Sequence, residues 1–231
     1  KVIWINLILA VLLISTIFFA LTHGASNFSM QKMTNSQLNI LFNIRVPRII
    51  SALVAGASLS VSGAFFQATL RNPIAEPGIM GISSAASLCQ LLAVIILPEI
   101  FFGKIIFAII GGLLAFGLLL LFQKKMTPYQ LIIIGVALNA VFTGMQEVFT
   151  NNQNSGSSLA TSSWGSTMYL LVIGIIWLIC AICFMNWANY LKINDEELTS
   201  LGVSAKTLRL VLMLIAVVLA ATTTACIGVL A

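Results

Sequence analysis

Charge is what this sequence has least of: six acidic and eleven basic residues, 7% of 231. An average soluble domain carries about a quarter charged residues, so a chain wetted over its whole surface is excluded. Histidine occurs once, at His23 in a polar stretch, where it reads as a solvated loop residue. An enzyme built into a membrane needs His, Asp, Glu or Cys side chains converging at one depth, and the chain does not supply them. Cys89, Cys180, Cys183 and Cys226 all lie in apolar runs. Cys180 and Cys183 are spaced as CxxC, but without a second ligand pair or a βαβ setting they read as small hydrophobes. No metal site is expected. GxxxxGK[ST] and HExxH are also missing, so nucleotide chemistry would have to belong to another chain.

What the sequence has is apolar length. Hydrophobic residues make up 60% and mean hydropathy is +1.08, the composition of an all-α, polytopic transmembrane bundle. At about 20 residues per crossing, one domain over 1–231 holds about seven spans, expected at 2–21, 48–70, 78–97, 102–122, 129–149, 168–186 and 208–231. Pro98 and Glu99 would close the third; 22–44 and 151–163 read as outward polar loops. The first run is longer than a signal-peptide core of about 7–15 residues and reads as an anchor. Gly111-Gly112 permits close packing in the fourth. The chain does not open on Met and its last run has no polar flank, so it reads as part of a longer protein.

The net charge of +5 comes from residues dispersed at the ends of apolar runs, which speaks for topology and against nucleic acid. With a cytoplasmic N-terminus, Lys1, Arg71, Lys124, Lys125, Lys192, Lys206 and Arg209 fall inside, and Lys32, Arg45, Arg48 and Lys104 outside, seven against four, as the positive-inside rule asks.

The stretch 45–81 organises the rest. Between Arg48 and Arg71 lie 22 uncharged residues, enough at about 1.5 Å per residue to cross about 30 Å of hydrocarbon. Ala52, Gly56, Ser60, Gly63 and Gln67 leave one face nearly bare, the pattern of a helix in the middle of a bundle. Pro73 and Pro77 then force a turn, where Gln67 and Asn72 are expected to satisfy the interrupted backbone. Asn139, Gln146 and Glu147 are polar groups on the fifth span and candidates for a transport path. Residues 194–203 begin with acids and end at a glycine suited to a helix C′ position, a short helix outside the membrane.

Arg45-Val46-Pro47-Arg48, Gly56-Ala57, Ser62-Gly63 with Gln67, Asn72-Pro73-Ile74-Ala75-Glu76-Pro77 and Gly81-Ile82-Ser83 together resemble the permease subunits of ABC importers for ferric siderophores, haem and cobalamin. The resemblance runs from about Ile3 to the last residue. It implies a ten-helix permease in the bacterial cytoplasmic membrane, about seven helices of which are here. It also implies a second permease copy or sister chain, a separate ATPase subunit that carries ATP, and an extracytoplasmic substrate-binding protein. Arg45 and Arg48 match its docking arginines. Residues 187–207 match its coupling segment, with Asp195, Glu196, Glu197, Leu198, Leu201 and Gly202 in the helix that meets the ATPase. Asn194 stands where the family often has Gly, and Leu198 where it often has Ala. The cargo implied is an iron chelate or haem, and this chain binds no cofactor of its own. An ion-coupled secondary transporter is the alternative; it predicts paired broken helices and intramembrane acids, and one break, at 73–77, is found. A membrane-embedded lipid enzyme is the more distant one.

Overall fold

A computed structural model of the chain describes residues 2–23, 35–96, 101–123, 126–150 and 163–228. Lys1, Lys32, Pro98, Glu99, Lys124, Lys125 and most of the expected 151–163 loop lie outside the described residues. All described regular structure is helical: α1 (Val2–Thr22), α2 (Asn35–Ile40), a π-helical turn (Leu41–Arg45), α3 (Val46–Leu70), α4 (Ile82–Ile96), α5 (Phe101–Gln123), α6 (Pro128–Thr150), α7 (Trp164–Tyr190), α8 (Asp195–Ser200) and α9 (Ala205–Ile227). Six described stretches are long and apolar enough to cross a membrane, and α4 is shorter.

The sixth span is longer than expected, Trp164–Tyr190, and three other boundaries differ in ways that shape the bundle. Residues 35–44, assigned to a polar loop, are helical and run on into α3 as one stretch, Asn35–Leu70. The reason is at Pro47, the second residue of α3, which has no N–H to donate. The preceding turn widens instead of breaking, and the Val46 N–H reaches back five residues to Leu41 O. Second, the third span starts at Ile82 and not at Gly78, because the chain makes a further turn: Met80 N–H donates to Glu76 O at 3.0 Å, Ile82 N–H to Pro77 O at 3.1 Å, and Gly81 takes a left-handed φ of 79°. Third, the last helix ends at Ile227, where Gly228 caps it.

The helix at the centre is α9 and not α3. Every residue from Ile215 to Ile227 is buried, as befits a helix apolar or small on all sides. Its three consecutive threonines remain tolerable because each hydroxyl returns to its own helix: Thr222 to Val218 O at 2.8 Å, Thr223 to Leu219 O at 2.7 Å and Thr224 to Ala220 O at 2.9 Å. Around it stand α3, α4, α5 and α7. Gly111 and Gly112 set the approach of α5: a Cβ on Gly111 would lie 2.5 Å from Ala85 O, and one on Gly112 3.1 Å from Ala221 Cβ.

The buried face of α3 is Ser51, Ala55, Ser58, Ser62, Phe65 and Phe66, not the smaller face read from the sequence. Ser51 Oγ lies 2.8 Å from Thr167 Oγ1 of α7, and Ser62 Oγ donates to Ala216 O of α9 at 2.7 Å. In a membrane bundle such bonds and close van der Waals packing hold helices that hydrophobicity alone would not pair. Gly56 and Gly63, expected to admit neighbouring helices, have nothing within 4 Å of a built Cβ. Their face opens on a hollow of about 560 Å³ lined by Ser60, Gly63, Gln67, Pro73 and Glu76 among others.

Candidate functional site

One end of the bundle is built by the turn after α3 and by the segment between α7 and α9. Arg71 ends α3 in a left-handed conformation, φ 50°, uncommon for a residue with a Cβ. The Asn72-Pro73 sequence keeps the chain from resuming the helix. The turn is then closed by its own polar groups: Gln67 Nε2 donates to Pro73 O at 3.0 Å, Ile74 N–H to Asn72 Oδ1 at 3.0 Å, and Ala75 N–H to Asn72 O at 3.2 Å. Pro77 is buried beneath it. The next turn rests on α6, where a Cβ on Gly135 would lie 2.8 Å from Met80 Cα.

Opposite this turn, α7 ends at Tyr190 and Asn194 takes an extended conformation before α8. Six residues make a helix too short to stand alone, and three things hold it. Asp195, Glu196 and Glu197 occupy its first turn, where the helix dipole favours negative charge. Leu198 is fully buried against the bundle. At the other end Gly202 takes φ 75°, with Gly202 N–H donating to Thr199 O and Val203 N–H to Leu198 O, each at 3.0 Å. This pair of bonds is the Schellman motif, with Gly202 at C′.

The six residues assigned to coupling therefore divide. Glu196, Glu197, Leu201 and Gly202 are exposed, Leu201 by 66%, beside an open hollow of about 610 Å³ lined largely by Trp187, Tyr190, Leu201, Val203, Thr207 and Leu208. Leu198 turns inward, and Asp195 lies half-exposed at the edge of the bundle. Leu198 fills the core, and Asp195 Oδ1 accepts from Arg71 Nη2 at 2.9 Å and from Arg209 Nη2 at 2.8 Å. Leu198 positions α8 from within, whereas Asp195 ties it to the bundle with a side chain still 47% exposed. Arg71 also donates from Nε to Leu191 O at 3.1 Å and from Nη2 to Ile193 O at 2.6 Å. Sequence reasoning counted Arg71 and Arg209 only as inside charges. Their shared signal was position: one follows the last residue of α3, the other lies in the second turn of α9, at the same end of the bundle.

At the opposite end, Arg45 is buried, 8% exposed, and its Nη1 donates to Leu21 O in the last turn of α1 at 2.7 Å. The expectation that it projects outward is corrected: it satisfies a carbonyl of a helix end, which otherwise lacks a donor. Arg48 is half-buried. The widened turn nearby is stitched to α7, as Trp164 Nε1 donates to Phe42 O at 2.9 Å and Thr167 Oγ1 to Pro47 O at 3.3 Å. His23 is exposed, stacked on Phe19, with Nδ1 2.9 Å from Thr22 Oγ1.

The three polar residues of α6 do not form one cluster. Gln146 is half-buried and donates from Nε2 to Ser84 O of α4 at 2.7 Å, which ties two helices. Glu147 is exposed one residue on, and Asn139 is half-buried more than a turn away, with its backbone N 3.0 Å from where a Gly81 Cβ would be. Among the described residues, no group of three or more His, Cys, Asp or Glu side chains is gathered as a metal ion requires. The cysteines are free thiols.

A bundle of helices long and apolar enough to cross a membrane, with a short capped helix beside them tied by ion pairs to Arg71 and Arg209, is the architecture of a polytopic membrane protein. The chain belongs to the FecCD transport family, which matches it over residues 3–231. It is 32% identical over 236 residues to the probable heme-iron transport system permease protein IsdF of Staphylococcus aureus strain NCTC 8325, across 97% of this chain and 74% of that protein. The same identity is found with IsdF of strains Newman and USA300, over 73% of their length. Among solved structures it is similar to an inward-facing metal-chelate type ABC transporter, with a TM-score of 0.78, 27% identity, and coverage of 98% of this chain and 77% of that one.

Proposed function

We propose that this chain is the permease through which an ATP-driven importer moves haem or a ferric siderophore across a bacterial cytoplasmic membrane. The observation that carries the reading is α8: a helix of six residues, locked at both ends, with Glu196, Glu197 and Leu201 left exposed. A rigid projection of this kind suits transmission of force from a neighbouring protein. In this reading 187–207 is the coupling segment of one transmembrane domain, and ATP is hydrolysed on a separate subunit while this chain binds no cofactor. The α8 end and the N-terminus are cytoplasmic. The end where α1 meets α3, with half-buried Arg48, receives the loaded binding protein, while Arg45 braces it. Two permease chains enclose the path, to which Asn139 and Glu147 of α6 contribute. The haem or iron-chelate cargo is inferred from the kinship with IsdF and with the metal-chelate transporter.

The test is reconstitution of the complete permease with its ATPase in liposomes. ATP hydrolysis is followed with binding protein that is empty, or loaded with haem, a ferric hydroxamate siderophore or cobalamin, and repeated with Leu201→Asp and Arg48→Glu. Stimulation by the haem or siderophore form, lost in either variant, is expected. Indifference to every loaded binding protein, with assembly intact, overturns the reading in favour of an ion-coupled transporter.

A further inference from the structure

Asp195 stands at a junction that the coupling role alone does not explain. Its Oδ1 accepts from Arg71 at the end of α3 and from Arg209 of α9, while Arg71 grips the carbonyls of Leu191 and Ile193 at the end of α7. One carboxylate oxygen thus joins the first residue of α8 to three membrane-spanning helices. The fork is directional. Arg71 is held by three acceptors, Leu191 O, Ile193 O and Asp195 Oδ1, and such charge-assisted bonds are short and strong, so a displacement of α8 pulls Arg71 at a left-handed corner, φ 50°. That corner leads into the turn packed on Gly135 of α6. The second arm pulls on α9, the most buried helix of the bundle.

We propose that Asp195, Arg71 and Arg209 form a forked joint through which movement of α8 is passed to α3 and α9 together, with Arg71 and Arg209 as positioning residues. The inference rests on the reading of α8 as the ATPase-facing helix. A joint of this kind governs how much cargo moves per ATP, whereas the exposed face of α8 governs whether the ATPase engages at all.

The two are separable in the reconstituted complex of full-length permease, ATPase and loaded binding protein, with haem or a ferric hydroxamate siderophore as cargo. Arg71→Gln and Arg209→Gln are expected to leave assembly, measured by size-exclusion chromatography, and stimulated ATP hydrolysis near the parent level. Cargo delivered per ATP should fall by about tenfold, within the range of couplings seen for side chains in one network. The double variant should be no worse than the worse single one, and Arg71→Lys, which keeps charge but not the fork, should recover part of the ratio. If Arg71→Gln does not assemble, Arg209→Gln and Arg71→Lys decide by the same ratio. An unchanged ratio, or parallel loss of hydrolysis, transport and assembly in all three, overturns the joint. If Leu201→Asp still abolishes stimulation, that failure leaves the importer reading standing; if stimulation never occurs with any parent complex, both fall.

Discussion

Replacing Gly202 by alanine isolates what a single backbone angle contributes to α8. Gly202 has φ 75°, and a Cβ built on it meets nothing within 4 Å, so no clash enters the cost. What remains is the left-handed conformation, about 1 kcal/mol for a residue with a side chain. Two bonds depend on it, Gly202 N–H to Thr199 O and Val203 N–H to Leu198 O, and both open together when the cap is lost. About 1 kcal/mol is a factor of about five in that opening equilibrium. Hydrogen exchange followed by mass spectrometry on peptides covering 195–204, in lipid nanodiscs, should therefore show about fivefold faster exchange at 202 and 203 in Gly202→Ala. Gly202→Asn should show less, because Asn enters the left-handed region more readily. Equal exchange in parent and Gly202→Ala, or faster exchange in the Asn variant than in the Ala variant, would refute the assignment of a Schellman cap.

Gly111→Ala places a methyl 2.5 Å from Ala85 O and 2.8 Å from Cys89 Cβ; backbone cannot yield as a side-chain tip does, so a cost of about 1–3 kcal/mol is expected. It reads as a lower thermal midpoint in detergent, and an unchanged midpoint would contradict the α4–α5 contact. Gln67→Leu and Asn72→Ala each remove a side-chain bond that closes the turn after α3, at about 1 kcal/mol apiece. Limited proteolysis within 71–81 should accelerate in both, and resistance equal to the parent would refute their role. Ser62→Ala removes the bond to Ala216 O, and a loss of only about 0.6 kcal/mol is expected, as for other interhelical bonds in membrane bundles; a loss several times larger would show that the hydroxyl holds more than that one carbonyl.

The helical class and most of the crossings were legible because the signal is long and one-dimensional: runs of apolar residues bounded by charges and prolines. The turn at 71–81 was legible as well, since two prolines in five residues leave no helical alternative. Harder to see was which face of a helix meets the bundle. On α3 two faces are rich in small residues, and spacing favoured Ala52, Gly56 and Ser60, whereas Ser51, Ala55, Ser58 and Ser62 are the ones buried. In water, polarity would separate an inner face from an outer one; in lipid both sides are apolar, and periodicity loses its sign. The centrality of α9 had a visible cue in its uninterrupted small and apolar residues from Ala216 to Ala221, although three threonines obscured it. In α8 the C′ glycine was local and readable, but the pairing of Asp195 with Arg71, 124 positions earlier, is reported by no local pattern.

The scarcity of charge and the placement of the arginines are two sides of one constraint. A membrane bundle creates at each helix end a set of carbonyls without intrahelical donors, and it has few charged side chains to offer them. Arg45 donates to the last turn of α1 through Leu21 O, and Arg71 to the end of α7 through Leu191 O and Ile193 O. These two residues bracket the same helix, α3, and each places a cation where a neighbour's dipole is negative. α3 is thus cross-tied to a different partner at each end, while its middle is held by small polar contacts such as Ser51 with Thr167 and Ser62 with Ala216 O. With its ends tied to α1 and α7 and its length packed on α7 and α9, α3 is fitted to move as one rod together with those neighbours. Under the importer reading, that is the property a rod needs if displacement of α8 is to be felt at the far side of the membrane.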